Sequence, residues 1–348
     1  MLRRLYTQDS PVRRFKILGG NPEWYRQLVA SLARRGATQA FLRGEPLSEK
    51  TVEISCSALK EMCLHLMKKN TAVAYESRCA LTTLFHACGR GGEVSSSTWD
   101  SVFWDADNSM MVLDWRELKK AEESVMTLHP DRESFHLDQL HSFACYILSG
   151  QGRHDASLGL AGGGVQWMFP AYCQMANGGA ASKVGRVITQ CFNDSVPGVS
   201  KNMTSHGLRI SSTDTVLFNF YVHTVVAFNR GNWDFKGDCL LFHYLTKKLH
   251  VATAGKALAG WGDPRIHVSS PTLDAFKTTA NADCVESFCV ELFAGLSLPR
   301  MLHNDLKLLR DVFVATLLMY RQDMIDVLGD DDIVLRRISR AVSLCNIR

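Results

Sequence analysis

The chain has 348 residues, of which 46% are hydrophobic and 21% charged, a balance that is ordinary for a folded globular protein and excludes a disordered polymer. It contains no run of about eighteen apolar residues that would predict a membrane span. Its eleven cysteines are scattered without a CxxC pair, which argues against a zinc site and is typical of reduced thiols in an intracellular protein.

The net charge of +4 is unevenly distributed. Residues 1–50 hold ten Lys and Arg against four Asp and Glu, so the positive excess lies near the N-terminus. An arm or first domain that touches an acidic polymer has this pattern, and a solvated basic face has it equally often. The first residues lack the apolar stretch of a secretory signal, so we expect no such signal.

Hydrophobic spacing predicts a mainly helical chain with one small sheet. The predicted helices cover residues 21–36, 50–69, 74–89, 137–150, 182–194 and 204–229, then regions around 287–296 and 303–328. Residues 99–131 alternate as three short antiparallel strands would. Residues 255–276 are rich in turn residues and are predicted as a loop. The predicted class is therefore mainly α with a three-stranded antiparallel sheet, an α+β fold.

Three short stretches carry candidate functional cations. Arg90 lies between glycines in "ACGRGGE", at the end of a predicted helix, where an arginine can also serve as a plain partner of the helix dipole. His206 and Arg209 of "SHGLR" are three residues apart on one helix face, which suits a bound phosphate, although such pairs also occur by chance. Lys119 lies near a turn between two predicted strands, where lysines are usually solubilising.

A fourth stretch, "RGNWDFKGDCLLFHYLT", contains Trp233 and Tyr244. By itself it indicates a turn followed by a helix with an aromatic core face. Two other tyrosines compete with Tyr244 as a nucleophile. Tyr221 is only twelve residues after Arg209, on the same predicted helix, and so cannot easily fold back toward it. Tyr320 lies deep in the last predicted helical stretch.

The order of these residues resembles the tyrosine recombinases, the phage-integrase-like family. "ACGRGGEVSSSTWDSVFWD" is similar to the family's first box, "LKKAEESVMTL" to its lysine hairpin and "SHGLR" to its second box. "RGNW…FHYL" is similar to the third box and nucleophile, with tryptophan where many members have histidine. The resemblance spans about residues 20–250, and the boxes and the sequences between them are similar to those of recombinases of eukaryotic mobile elements such as Cryptons.

The resemblance implies a DNA breaking-rejoining catalytic core and a domain order. It implies a basic arm at residues 1–20, a helical segment at 21–70 that is a partial core-binding domain or the start of the catalytic domain, the catalytic domain at 71–250 and a mostly helical C-terminal extension at 251–348. Members usually carry a separate N-terminal helical domain that closes a clamp on DNA. Only about 70 residues precede the helix that leads to Arg90, so we expect either a short or missing clamp or a chain that is a fragment of a larger element protein.

The resemblance also implies a role for each residue. Tyr244 attacks the scissile phosphate, and Arg90 and Arg209 stabilise the charge of the transition state. His206 donates to the phosphate or helps to take the tyrosine proton, Trp233 offers a donor that does not titrate, and Lys119 is the general acid for the 5′-oxygen. We expect Glu93 to brace Arg90. This chemistry needs no metal ion or other cofactor.

The implied partner is double-stranded DNA, on which such enzymes assemble as dimers or tetramers. For a mobile element of this kind the resemblance implies a location in the nucleus. No membrane partner is expected. The implied activity is site-specific recombination or integration of a mobile element. The short clamp and the eleven residues between Trp233 and Tyr244, a slightly longer gap than usual, also suit a recombinase-derived DNA-binding or assembly protein that no longer cuts. A relaxing topoisomerase with the same chemistry is a third hypothesis, and a metal hydrolase is disfavoured because no ligand cluster occurs in the sequence.

Overall fold

A computed structural model of the chain describes residues 52–105, 108–115, 125–150, 166–173, 179–231, 251–277, 282–296 and 307–345. From Glu53 onward these residues belong to one compact unit. They are mainly helical with one three-stranded antiparallel sheet, which confirms the predicted α+β class.

Helices make up most of the described chain, and the three strands lie between the second and third of them. The helices are α1 Cys56–Lys68, α2 Ala72–His86, α3 Gln139–Leu148, α4 Gly179–Asn193, α5 Ser205–Leu217, α6 Thr224–Gly231, α7 Val251–Leu258, α8 Asp274–Lys277, α9 Ala282–Leu292, α10 Lys307–Met319, α11 Arg321–Leu328 and α12 Ile333–Leu344. The strands are β1 Val102–Asp105, β2 Met110–Asp114 and β3 Val125–Leu128.

The core is built around α2 and α3, which pack against each other. Every residue of α3 is buried, and α2 is buried from Ala74 to His86. Charged side chains inside this core bind backbone atoms: Arg78 Nη2 donates to the carbonyl of Phe135 at 2.6 Å, and Glu76 Oε1 accepts from the Ala171 N–H at 2.8 Å. These bonds compensate part of the cost of burying the charges and fix the loops that the carbonyl and the N–H belong to.

The sheet has the order β1-β2-β3, with Val102 opposite Leu113 and Met111 opposite Leu128. The segment that leads into it is anchored by Trp99, which is fully buried and stacks on Tyr146 of α3 at 6.2 Å between ring centroids. The sheet therefore starts from the same core as the central helices.

The helices that follow residue 250 contribute to this core. Helix α10 packs on α3 and β1, α12 packs on α9 and α3, and α7 packs on β3. Of the predicted domains, residues 1–20 and most of 21–70 lie outside the described residues, and the boundaries at 20, 70 and 250 stay predictions. No helix among the described ranges is long and apolar enough to cross a bilayer.

Several predicted element bounds are wrong. Residues 204–229 do not form one helix, because the Asn219 side chain accepts a hydrogen bond from the Tyr221 N–H at 3.0 Å and closes a turn between α5 and α6. Tyr221 therefore lies in that turn and not on the Arg209 helix. The predicted loop 255–276 begins inside α7, and the predicted helix 303–328 divides at Tyr320. Helix α12 was not predicted.

Candidate functional site

The loop that carries Arg90 begins where α2 ends. The Gly89 N–H donates to the carbonyl of Leu84 at 2.8 Å, and the Cys88 N–H donates to that of Phe85 at 3.1 Å. These are the two bonds of a Schellman motif, with Cys88 in the left-handed conformation at φ 47° that glycine usually occupies. The helix was predicted to end at Gly89. The left-handed residue that ends it is instead Cys88, one position earlier, and the chain turns there toward Arg90.

Glu93 braces Arg90, as expected. Its carboxylate accepts from the Arg90 backbone N–H at 2.6 Å and lies 3.4 Å from Arg90 Nη1. The Glu93 side chain is only 10% exposed, whereas that of Arg90 is 54% exposed. The carboxylate therefore holds the base of the loop, and the guanidinium reaches solvent.

Glycine at position 91 lets this loop lie against the first turn of α5. A Cβ built on Gly91 would lie 2.9 Å from Ser205 Cβ and 3.1 Å from the Cα of Ala181 on α4. Gly89 is similarly tight, since its Cβ would meet the ring of Trp115 at 3.0 Å. The two glycines therefore fix where the Arg90 loop lies.

Helix α5 presents His206 and Arg209 next to that loop. Thr204 caps the helix, with its hydroxyl accepting from the His206 N–H at 3.3 Å, and His206 is exposed in the first turn. One turn later Arg209 is 5% exposed, and its Nη2 donates to the carbonyl of Gly231 at the end of α6. Burial lowers the pKa of Arg209, the neighbouring cation Arg90 lowers it further, and Glu93 opposes both effects. Arg209 and Arg90 are thus electrostatic neighbours.

Another buried arginine near Arg209, Arg230, was not recognised as a functional candidate from the sequence. Its Nε donates to the carbonyl of His86 at 2.6 Å, and its Nη2 donates to the carbonyl of Thr127 at 3.2 Å. The side chain is 4% exposed, and burial lowers its pKa to about 10, which leaves it protonated at neutral pH. The available signal was its spacing, since Arg230 lies four residues after the buried Val226 on the inner face of α6.

Strand β3 meets α7 at the same point. A Cβ on Gly255 of α7 would lie 2.5 Å from the Thr127 carbonyl oxygen. Nearby, His129 binds the Thr127 hydroxyl at 3.1 Å, and burial lowers the pKa of His129 to about 3. The described residues on both sides of residues 232–250 therefore contact Thr127, from Arg230 on one side and Gly255 on the other.

The structure brings together Arg90, His206 and Arg209 of the predicted site residues. Lys119, Trp233 and Tyr244 lie outside the described residues. Of the competing tyrosines, Tyr320 is buried and donates to the carbonyl of Asp131 at 3.2 Å, which excludes it as a surface nucleophile. Tyr221 is 40% exposed, and its ring lies 4.0 Å from the guanidinium carbon of Arg265.

The arrangement is suited to binding an anion. Arg90 is an electrostatic neighbour of Arg209, and its loop lies against the first turn of α5, where the helix dipole favours negative charge. Arginine stays protonated and donates in parallel to phosphate oxygens, so this pair suits a phosphodiester group. Among the described residues no group of three or more His, Cys, Asp or Glu has a metal-binding arrangement.

A scan against protein-family models, a search of curated proteins and a search of solved structures gave no match to this chain. The functional assignment therefore depends on the chain's own residues and their geometry.

Proposed function

We propose that this chain cleaves and rejoins DNA through a 3′-phosphotyrosyl intermediate, as a tyrosine recombinase or integrase of a mobile element. The observation that carries the proposal is the contact of Gly91 with Ser205. Through this contact the Arg90 loop lies against the helix turn that holds His206, beside the buried Arg209. This approach supports the proposal, since it brings the Arg90 loop near the helix of His206 and Arg209, more than a hundred residues later in the sequence, as the family resemblance implies.

The fold supports the same assignment. The Arg90 loop leads directly into the three-stranded antiparallel sheet, and the connection between β2 and β3 contains residues 116–124, where Lys119 is predicted to act. Helix α5 then returns to the Arg90 loop, and α6 ends next to Arg209. A tyrosine recombinase core requires this sequence of loop, sheet and helices.

In the proposed reaction the Tyr244 oxygen attacks the scissile phosphorus and the bond to the 5′-oxygen breaks. Arg90 and Arg209 neutralise the charge that builds up on the non-bridging oxygens, and electrostatic stabilisation of this kind is usually the largest single contribution to catalysis. His206 helps to take the tyrosine proton or donates to the phosphate, and Trp233 donates beside it. Lys119 protonates the leaving 5′-oxygen, and a free 5′-hydroxyl later reverses the link.

The test is covalent trapping on duplexes of mixed sequence with sulfur in place of the 5′-bridging oxygen. After cleavage the released thiol rejoins poorly, so the adduct accumulates and migrates with the protein on a denaturing gel. We expect an adduct with the wild type and none with Tyr244→Phe. Tyr221→Phe is the matched control, since Tyr221 is an exposed tyrosine in the α5–α6 turn and should leave the yield unchanged.

The same probe tests the general acid. A thiol has a pKa of about 8.5, so a thiolate leaves without being protonated. Lys119→Ala should therefore be defective on ordinary DNA and close to wild type on the sulfur-containing duplex. A wild-type protein that binds DNA with a salt-dependent affinity, forms no adduct and is unaffected by Tyr244→Phe would instead be a DNA-binding relative that no longer cuts.

Double-stranded DNA as partner, self-assembly on it and residence in the nucleus are part of this proposal. Relaxation of supercoiled plasmid without strand exchange would identify the topoisomerase variant of the same chemistry.

A further inference from the structure

We infer that Arg230 is the positioning residue of this site, because one buried side chain ties together the three segments on which the site depends. The expected effect of Arg230 on catalysis rests on the proposed function. Its effect on the position of the Arg90 loop rests on the described residues alone.

The first segment that Arg230 holds is the end of α2. Its Nε binds the carbonyl of His86, four residues before Arg90 and directly before the Schellman turn. Carbonyls in the last turn of a helix lack a partner within the helix, and a charged donor at this point fixes the direction in which the chain leaves. The Arg90 loop therefore leaves α2 from a point that Arg230 fixes.

The second segment is β3, whose Thr127 carbonyl accepts from Arg230 Nη2 at 3.2 Å. The third is the end of α6 itself. Gly231, the next residue after Arg230, supplies the carbonyl that accepts from Arg209. The dipeptide 230–231 thus connects Arg209, the base of the Arg90 loop and the strand that follows the predicted lysine turn.

Lysine cannot replace this function fully. The guanidinium is a planar fork whose Nε and Nη2 donate in different directions to two fixed carbonyls, whereas lysine offers one ammonium on a flexible stem. A buried arginine is also an expensive way to stabilise a core, since apolar residues of similar volume often do so equally well. The two carbonyl bonds of Arg230 therefore matter here for the geometry that they fix.

The experiment compares wild type with Arg230→Met and Arg230→Lys by hydrogen–deuterium exchange in the absence of DNA. We expect faster exchange in Arg230→Met at residues 87–93 and 205–211, which contain the hydrogen-bonded amides of Gly89, Glu93 and Gly207. Arg230→Lys should be intermediate, and it keeps the test available if Arg230→Met does not fold. Arg337→Met is the matched control, because Arg337 likewise donates to two carbonyls, those of Leu292 and Ala294, at the end of α9. It should leave both regions unchanged.

The catalytic measurement has two parts. The first is the rate of adduct formation at saturating DNA, and the second is the DNA concentration that gives half of this rate. A misplacement of about 1 Å lowers such rates by about 100-fold, so we expect a loss of about 10- to 100-fold with half-saturation within about twofold of wild type. A folded Arg230→Met or Arg230→Lys protein with unchanged exchange in both regions overturns the inference. Altered exchange together with a wild type that never forms an adduct keeps the positioning role and removes the proposed function.

Discussion

Gly91→Ala tests the contact on which the site depends. The added methyl would lie 2.9 Å from Ser205 Cβ and 3.1 Å from Ala181 Cα. Carbon atoms normally approach to about 3.5–4.0 Å, so the loop must move by about 0.5–1 Å. Position 91 is not in the left-handed region, so the expected effect comes from this contact and not from backbone strain.

A shift of this size should separate Arg90 from the first turn of α5. We expect adduct formation on the sulfur-containing duplex to fall by about 10- to 100-fold, with a loss of about 1–3 kcal/mol in the free energy of unfolding. The first is measured by single-turnover trapping at saturating DNA, and the second by urea denaturation.

Gly92→Ala is the matched control, since a Cβ at Gly92 meets nothing within 4 Å and its φ of −74° suits alanine. It should cleave at the wild-type rate. Ser205→Gly in the Gly91→Ala background removes the closest obstacle and should restore part of the activity. The reasoning is refuted if folded Gly91→Ala cleaves like wild type, or if both alanine variants lose activity equally.

Two further predictions concern the surroundings of the site. Burial lowers the pKa of His86 from 6.5 to about 4. As the pH is lowered, the unfolded chain therefore protonates at this residue before the folded chain does. The free energy of unfolding should fall by about 2 kcal/mol from pH 7 to pH 5 because of this residue. His86→Gln keeps a donor for the Leu137 carbonyl, which His86 Nε2 contacts at 2.9 Å, but does not titrate. From pH 7 to pH 5 the free energy of unfolding of His86→Gln should therefore rise by about 2 kcal/mol relative to that of the wild type. A difference between the two proteins that is independent of pH contradicts the lowered pKa of His86. Gly255→Ala should cost more than about 2 kcal/mol, because its Cβ would lie 2.5 Å from the Thr127 backbone oxygen. Gly262→Ala, whose nearest neighbour is 3.9 Å away, should be close to neutral, and equal melting temperatures for the two variants would contradict the packing of α7 on β3.

The spacing of apolar residues was sufficient to predict the elements that keep a single helical or strand period along their length. The apolar spacing of α2, its glycine-rich end and the alternation of the three strands all predicted elements that the structure contains. The Schellman turn at Cys88 was not predicted, because cysteine has no intrinsic preference for the left-handed conformation. The hydrogen bonds to the carbonyls of Leu84 and Phe85 hold Cys88 in it.

Candidate site residues could be chosen from the sequence only where a residue type carries its own chemistry. Arg90, His206 and Arg209 were chosen as candidates from motif and order, and their roles stay predictions. Arg230 could not be chosen, because its partners are backbone carbonyls 144 and 103 residues away and a sequence does not reveal which carbonyls a fold brings together. The break between α5 and α6 was missed for a related reason, since the side chain of Asn219 ends the helical spacing locally.

The most direct test of the central claim is to identify the amino acid that becomes linked to DNA. The wild-type adduct is digested with nuclease and protease, and the peptide that carries the residual nucleotide is sequenced by mass spectrometry. We predict a phosphotyrosyl nucleotide on Tyr244. A link to Tyr221 or another residue, or no linked peptide from protein that binds the duplex, would contradict it.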